Sequence, residues 1–179
     1  MCLSGITQTL YGIIMAGSAI LTIIALFTPD WNTVKNAPTT GTKTNWNGLM
    51  PWACIDNSGG STCQNWWANL PDWLRCVVVC MILAVIVEVF AVVYNFLTCL
   101  ACCCKKYVIH PLTFFALVST VLLLIAVIVY AANYSEFSSG VTVDTQLGYS
   151  FWLAVGALIL SAGAVILGAI SVFFGEHCC

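Results

Sequence analysis

Charge is what this sequence has least of. Of 179 residues, 7% are Asp, Glu, Lys or Arg, against roughly a quarter in a soluble domain. Five Lys and Arg are scattered along the chain and the net charge is -2, so there is no basic patch for nucleic acid. The two histidines, His110 and His177, stand apart from any metal-ligand spacing. No nucleophile motif or phosphate loop is present. These absences leave no catalytic constellation, so no enzymatic activity, cofactor or metal is expected. The opening "MCLSGITQTL" has no Lys or Arg and no small-residue cleavage site after its apolar run, and reads as a retained segment instead of a cleaved signal peptide. Residue 2 is Cys2, which excludes an N-myristoylation signal.

What fills the chain instead is hydrophobic: 61% of it. Crossing a bilayer takes about 20 mostly apolar residues, and four segments qualify, at about 8–27, 74–97, 112–134 and 149–174. They lack the polar stripes at helical spacing of a soluble bundle. The reading is a mainly α membrane protein, one tetraspan domain over 1–179, with loops at about 28–73, 98–111 and 135–148. Ala154, Ala157, Ser161, Ala164, Gly168 and Ser171 put a small face on the fourth span, and Gly12, Ala16 and Ala19 do the same on the first. Helices in lipid pack through such faces.

Glu88 is the one ionisable carboxyl near mid-membrane, where such a residue is costly and is paired or functional. By depth, Ser18, Ser119, Thr120 and Ser161 lie near its level. One reading is a protonated Glu88 hydrogen-bonded to one of these hydroxyls. The other is a proton or ion relay. A relay wants further ionisable groups along a path, and the other spans supply none, which favours the structural role.

An even number of spans places both termini on one side. Lys105 and Lys106 in the short middle loop are set against Lys35 and Lys43 in the long first loop, with Arg75 at its border, and the higher density of positive charge favours the short loop as the cytosolic one. Cysteine placement agrees. Cys2, Cys99, Cys102, Cys103, Cys104, Cys178 and Cys179 fall on that side, and the run "CLACCCKKY" beside lysines reads as an S-palmitoylation site. Cys99, Cys102, Cys103, Cys104, Cys178 and Cys179 are the candidates; reduced, unmodified thiols are the alternative. Asn133-Tyr134-Ser135 fits the N-glycosylation sequon but sits at the membrane surface, and is expected to stay unmodified.

The long first loop carries Trp31, Trp46, Trp52, Trp66 and Trp67, with Trp73 at its edge. Interfacial belts explain a Trp at each membrane boundary; five in one loop point to a folded, partly apolar layer outside the membrane. Within "CIDNSGGSTC", a two-residue turn at Ser58-Gly59 sets Asn57 opposite Gly60 and Cys54 opposite Cys63. The cysteines then form a non-hydrogen-bonded pair with Cα atoms about 4.5 Å apart, within disulfide range, in an oxidising compartment. A Cys54–Cys63 bridge is expected, contributing roughly 2–3 kcal/mol by chain entropy. A metal site lacks further ligands nearby, and two free thiols do not suit that compartment.

These residues resemble the claudin superfamily, which also includes the peripheral myelin and epithelial membrane proteins and several channel auxiliary subunits. The family signature is a Trp early in loop one, Gly-Leu-Trp, two residues, Cys, eight to ten residues, a second Cys, and an Arg at the start of span two. Here Trp31, Gly48, Leu49, Cys54, Cys63 and Arg75 match, and "LGYSFWLA" opening span four is also similar. The departure is "GLMPWAC": Met50-Pro51 displaces the tryptophan to Trp52, one residue from Cys54 where the family has two.

The resemblance implies a left-handed four-transmembrane-helix bundle under a small extracellular antiparallel β-sheet. Loop one would give four strands, and loop two a fifth at "GVTVDT", 140–145. It implies a plasma-membrane protein of cell junctions that acts in adhesion and as a paracellular barrier, associating with membrane proteins in cis and trans. Trp66, Trp67 and Phe137 are candidate contact residues, or anchors of the sheet to the headgroups. Loop-one charges (Asp30, Lys35, Lys43, Asp56 and Asp72) nearly balance and indicate no ion preference. The alternative from another class is an auxiliary subunit of an ion channel or receptor. The ending "GEHCC" lacks the aliphatic motif that PDZ scaffolds capture in junction claudins, which counts against a PDZ scaffold as partner.

Overall fold

The computed structural model describes residues 3–28, 31–34, 49–50, 65, 67–100, 105–133 and 145–175. In chain order these include helix α1 (Leu3–Phe27), strand β1 (Asn32–Val34), helices α2 (Asp72–Leu100) and α3 (Lys105–Asn133), strand β2 (Thr145–Leu147) and helix α4 (Tyr149–Gly175). Every helix contains a stretch long and apolar enough to cross a membrane: Ile6–Phe27, Asp72–Thr98, Pro111–Asn133 and Tyr149–Ile170. In lipid a backbone polar group has no water to bond, so an isolated apolar run is driven to satisfy itself as helix.

Local chemistry sets the boundaries. α1 ends just before Pro29, which has no N–H and biases the preceding residue away from helix. α2 starts after Pro71, whose carbonyl accepts from the amides of Leu74 (3.0 Å) and Arg75 (3.1 Å). Asp72 in its first turn complements the helix dipole. At the far end the helices outrun the apolar segments. α2 continues to Leu100 and α3 begins at Lys105, so most of the loop expected at 98–111 is helical backbone. Hydrophobicity marks where lipid is, whereas backbone hydrogen bonding carries a helix past that edge. Pro111 lies inside α3; it removes one amide donor, a loss a helix tolerates where other groups satisfy the freed carbonyl.

The helices close into a ring. α1 packs on α2 and α4, and α3 packs on α2 and α4. The interior is apolar at both ends. One cluster gathers Leu26, Trp31, Leu49, Leu74, Met81, Leu123, Tyr130 and Phe151 near the strands. The other gathers Tyr11, Met15, Ala91, Leu112, Ala116 and Ala164 at the opposite end. Between them on every helix sits a buried polar residue: Ser18, Glu88, Ser119 and Ser161. The outer surface is apolar too, with Ile6, Ile13, Phe90, Phe96, Phe114, Ile159 and Ile166 all more than 60% exposed. A water-soluble monomer rarely exposes so continuous an apolar surface; lipid contact accounts for it.

β1 and β2 form an antiparallel ladder with Asn32 opposite Leu147, Thr33 opposite Gln146 and Val34 opposite Thr145. The Gly148 amide donates to the Trp31 carbonyl at 2.9 Å and extends the pairing toward the bundle. This ladder joins the exit of α1 to the entrance of α4. Among the described residues the sheet consists of these two strands. Most of loop one, where the resemblance implies further strands, and residues 140–144 of the segment expected as a strand at 140–145, lie outside the described residues.

Candidate functional site

Two places in the bundle concentrate polar groups that the apolar interior must satisfy: the ladder end of α1 and the middle of the membrane.

At the ladder end the problem begins with Pro29. The last carbonyls of a helix lose their intrahelical donors, and the residue four beyond Ala25 is Pro29, which has none to give. The Trp31 indole supplies it: Nε1 donates to the Ala25 carbonyl at 2.8 Å. The Met50 amide donates to Leu26 at 3.2 Å, and Ser150 Oγ donates to Thr28 at 3.4 Å, while the Thr28 and Ser150 hydroxyls lie 2.9 Å apart. So α1 is capped by the nearby Trp31 indole and by two groups from more distant parts of the chain, the Met50 amide and the Ser150 hydroxyl. The Trp31 ring, 7% exposed, meets Tyr130 of α3 edge-on at 4.8 Å and Phe151 of α4 at 6.5 Å between centroids. Leu49 is buried in the same cluster and Met50 packs against it. Loop one is thus pinned to the bundle at two separated points.

At mid-membrane, Glu88 is 0% exposed. Its Oε1 lies 2.6 Å from Ser18 Oγ of α1 and accepts from Ser119 Oγ of α3 at 3.0 Å. Ser18 Oγ also reaches the Ala157 carbonyl of α4 at 3.0 Å. Ser161 of α4 lies 3.4 Å from Ser119 and 2.8 Å from Thr120, which donates to the Ala116 carbonyl at 2.7 Å. All four hydroxyls named by depth in the sequence join this network, two of them directly on Glu88. Among the described residues no donor reaches Oε2.

The family model for tight junction proteins of the claudin-like type matches residues 1–179, the whole chain. The chain belongs to the claudin-like family. Comparison with curated proteins returns no match. Family and helices together make it a multi-pass membrane protein of the tight-junction type.

In this claudin-like bundle Arg75 has a structural setting. Its Nε donates to the Trp67 carbonyl at 3.2 Å and one Nη to the Ala68 carbonyl at 2.9 Å. The other Nη pairs with Asp72 at 3.0 Å, and the guanidinium lies 6.0 Å from the Trp67 ring. Arg75 therefore ties the end of loop one to the start of α2. Trp67 is exposed, as are Tyr149 and Trp152, forming an aromatic rim at the ladder end. Gly48, Trp52, Cys54, Cys63, Trp66, Phe137, Cys102, Cys103, Cys104, Cys178 and Cys179 lie outside the described residues. Cys99 sits in the last turn of α2. Asn133, the sequon asparagine, donates to the Val129 carbonyl at 2.7 Å at the end of α3.

Some participants escaped sequence reasoning. Tyr130 and Phe151 form the Trp31 cage, yet in sequence they are aromatic residues like many others near span ends. Asn95 is buried against Gly12, so closely that a Cβ on Gly12 would collide with its amide nitrogen. The signal was there in Gly12 on the small face of span one, facing the one amide of span two.

Proposed function

We propose that this claudin-like protein is a cell–cell adhesion and barrier protein of the plasma membrane, assembling in cis and in trans through its extracellular loop layer. The observation that carries this is the match of the whole chain to a tight junction family. The pinning of loop one by Trp31, Leu49 and Met50, and of loop two through the ladder, supports it. Adhesion requires a loop layer that holds its orientation against the bundle.

In this reading the chain is one tetraspan domain with cytosolic termini. A Cys54–Cys63 bridge locks the loop-one hairpin, and Trp66, Trp67 and Phe137 offer contact surface. Acyl chains on the cytosolic cysteines Cys99, Cys102, Cys103, Cys104, Cys178 and Cys179 add anchorage. Function is barrier formation and not catalysis. The bridge is tested by non-reducing gel mobility: Cys54→Ser and Cys63→Ser each migrate as reduced wild type does, and an unchanged pattern refutes it.

The function is tested by expressing the tagged full chain in cells that form no junctions and imaging it, and by measuring resistance across an epithelial monolayer that expresses it. Enrichment at cell contacts and a changed resistance are expected. Diffuse distribution together with stoichiometric co-purification of a channel or receptor overturns the proposal in favour of an auxiliary subunit.

A further inference from the structure

The polar layer at mid-membrane permits a count of protons. Each hydroxyl owns one. Thr120 gives its proton to the Ala116 carbonyl, so Ser161 is the donor in the 2.8 Å contact with Thr120. Ser119 gives its proton to Glu88 Oε1. Ser18 is then asked for two: one for Glu88 Oε1 at 2.6 Å and one for the Ala157 carbonyl at 3.0 Å. A carbonyl can only accept, so Ser18 serves Ala157, and the proton in the short Ser18–Glu88 contact comes from Glu88. With that one proton added, Thr120, Ser161, Ser119, Glu88 and Ser18 each donate once into the shortest contacts, and the two 3.4 Å approaches of Ser161, to Ser119 and to the Ala116 carbonyl, carry no proton.

Oε2 argues the same way. An ionised carboxylate has about four acceptor positions to satisfy, and burying one without its donors is prohibitive in an apolar interior. Here Oε1 takes both contacts, the neighbouring Thr22 hydroxyl gives its proton to the Ser18 carbonyl at 2.9 Å, and Oε2 meets no donor among the described residues. That lopsided setting suits an acid whose Oε1 carries the proton and whose Oε2 is a carbonyl-type oxygen.

We propose that Glu88 is a neutral carboxylic acid that donates to Ser18, and is thereby the positioning residue that fixes the rotational register of all four helices. The hydrogen bonds form two runs, one from Ser161 of α4 through Thr120 to the Ala116 carbonyl of α3, the other from Ser119 of α3 through Glu88 of α2 and Ser18 of α1 to the Ala157 carbonyl of α4, and the two meet where Ser161 lies 3.4 Å from Ser119. Each run ends on a backbone acceptor, so no proton leaves the network. It lies in one layer between the two apolar clusters, across the bundle and not along it. Rotating any one helix would break a link in an interior that holds few alternative partners.

The test is infrared spectroscopy of the full chain in an ester-free detergent at neutral pH. Glu136→Gln and Glu176→Gln leave Glu88 as the sole glutamate, so labelling glutamate with carbon-13 at the side-chain carboxyl reports it with its own network intact. The expected result is an isotope-shifted carboxylic-acid carbonyl band, in the high-frequency position of an oxygen that accepts no hydrogen bond, and Ser18→Ala moves it. Glu88→Gln, whose amide can donate in the same place, keeps the unfolding midpoint close to that of wild type, whereas Glu88→Ala lowers it. An isotope-shifted carboxylate band in place of the acid band overturns the proposal, as does an acid band that Ser18→Ala leaves unmoved. Equal midpoints for Glu88→Gln and Glu88→Ala overturn the positioning role.

Discussion

Replacing Trp31 separates two contributions that the structure superimposes. Trp31→Phe removes the indole N–H and keeps most of the ring against Tyr130 and Phe151. The Ala25 carbonyl then has no donor, because Pro29 cannot take over. Leaving a buried acceptor unsatisfied costs about 1–3 kcal/mol. Trp31→Ala removes the ring as well and opens a cavity under the loop layer, and such truncations cost about 3–5 kcal/mol. The assay is equilibrium unfolding in mixed micelles, titrating a denaturing detergent and following tryptophan fluorescence together with helical circular dichroism. Six tryptophans remain in either variant, so the fluorescence signal survives. The expected order is wild type, then Trp31→Phe, then Trp31→Ala, with steps of that size. A Trp31→Phe variant within about 0.5 kcal/mol of wild type would refute the capping argument, since the loss would fall well below the cost of an orphaned carbonyl. Equal losses for the two variants would refute the packing argument.

Two further expectations concern particular contacts. A Cβ on Gly168 would stand 2.6 Å from Thr113 Oγ1, whereas on Gly163 it would meet nothing within 4 Å. Gly168→Ala should therefore destabilise by about 1–3 kcal/mol through overpacking, and Gly163→Ala should be neutral or stabilise by up to about 1 kcal/mol through helix propensity; thermal unfolding of the two side by side decides. Arg75→Ala deletes the donors to the Trp67 and Ala68 carbonyls, while Asp72→Asn removes only an exposed ion pair whose acidic side chain is 96% exposed. Proteolysis of loop one should accelerate in Arg75→Ala and stay at the wild-type rate in Asp72→Asn, because surface ion pairs contribute little.

The membrane-spanning helices were legible because an apolar run of that length in a charge-poor chain has one stable form. Their ends were less so. α2 and α3 extend to Leu100 and from Lys105, where composition turns polar but helix geometry continues, and Pro111 disguised the continuity. The strands were illegible for a different reason. "NTV" and "TQL" are three residues each, too short for any alternation to register, and they pair because Trp31 and Gly148 hold their ends together. The mid-membrane network was readable from depth alone, since Ser18, Glu88, Ser119, Thr120 and Ser161 occupy matching levels in their spans. Its order of bonding was not, because that depends on the rotation of each helix. Trp31 was marked by its place in the family signature, but its aromatic cage comes from spans three and four, which no local pattern in loop one announces.

The clasp at Trp31 also binds the attitude of the loops to the thickness of the lipid. Helices answer a thinner or thicker bilayer chiefly by tilting. Because Trp31 is anchored one turn back on α1 and the ladder leads directly into α4, there is no slack in which tilt could be absorbed before the loops begin. Sterol-rich, thicker membrane and thinner membrane would present the same loop layer to the outside at different angles, making membrane composition a determinant of how two facing copies meet.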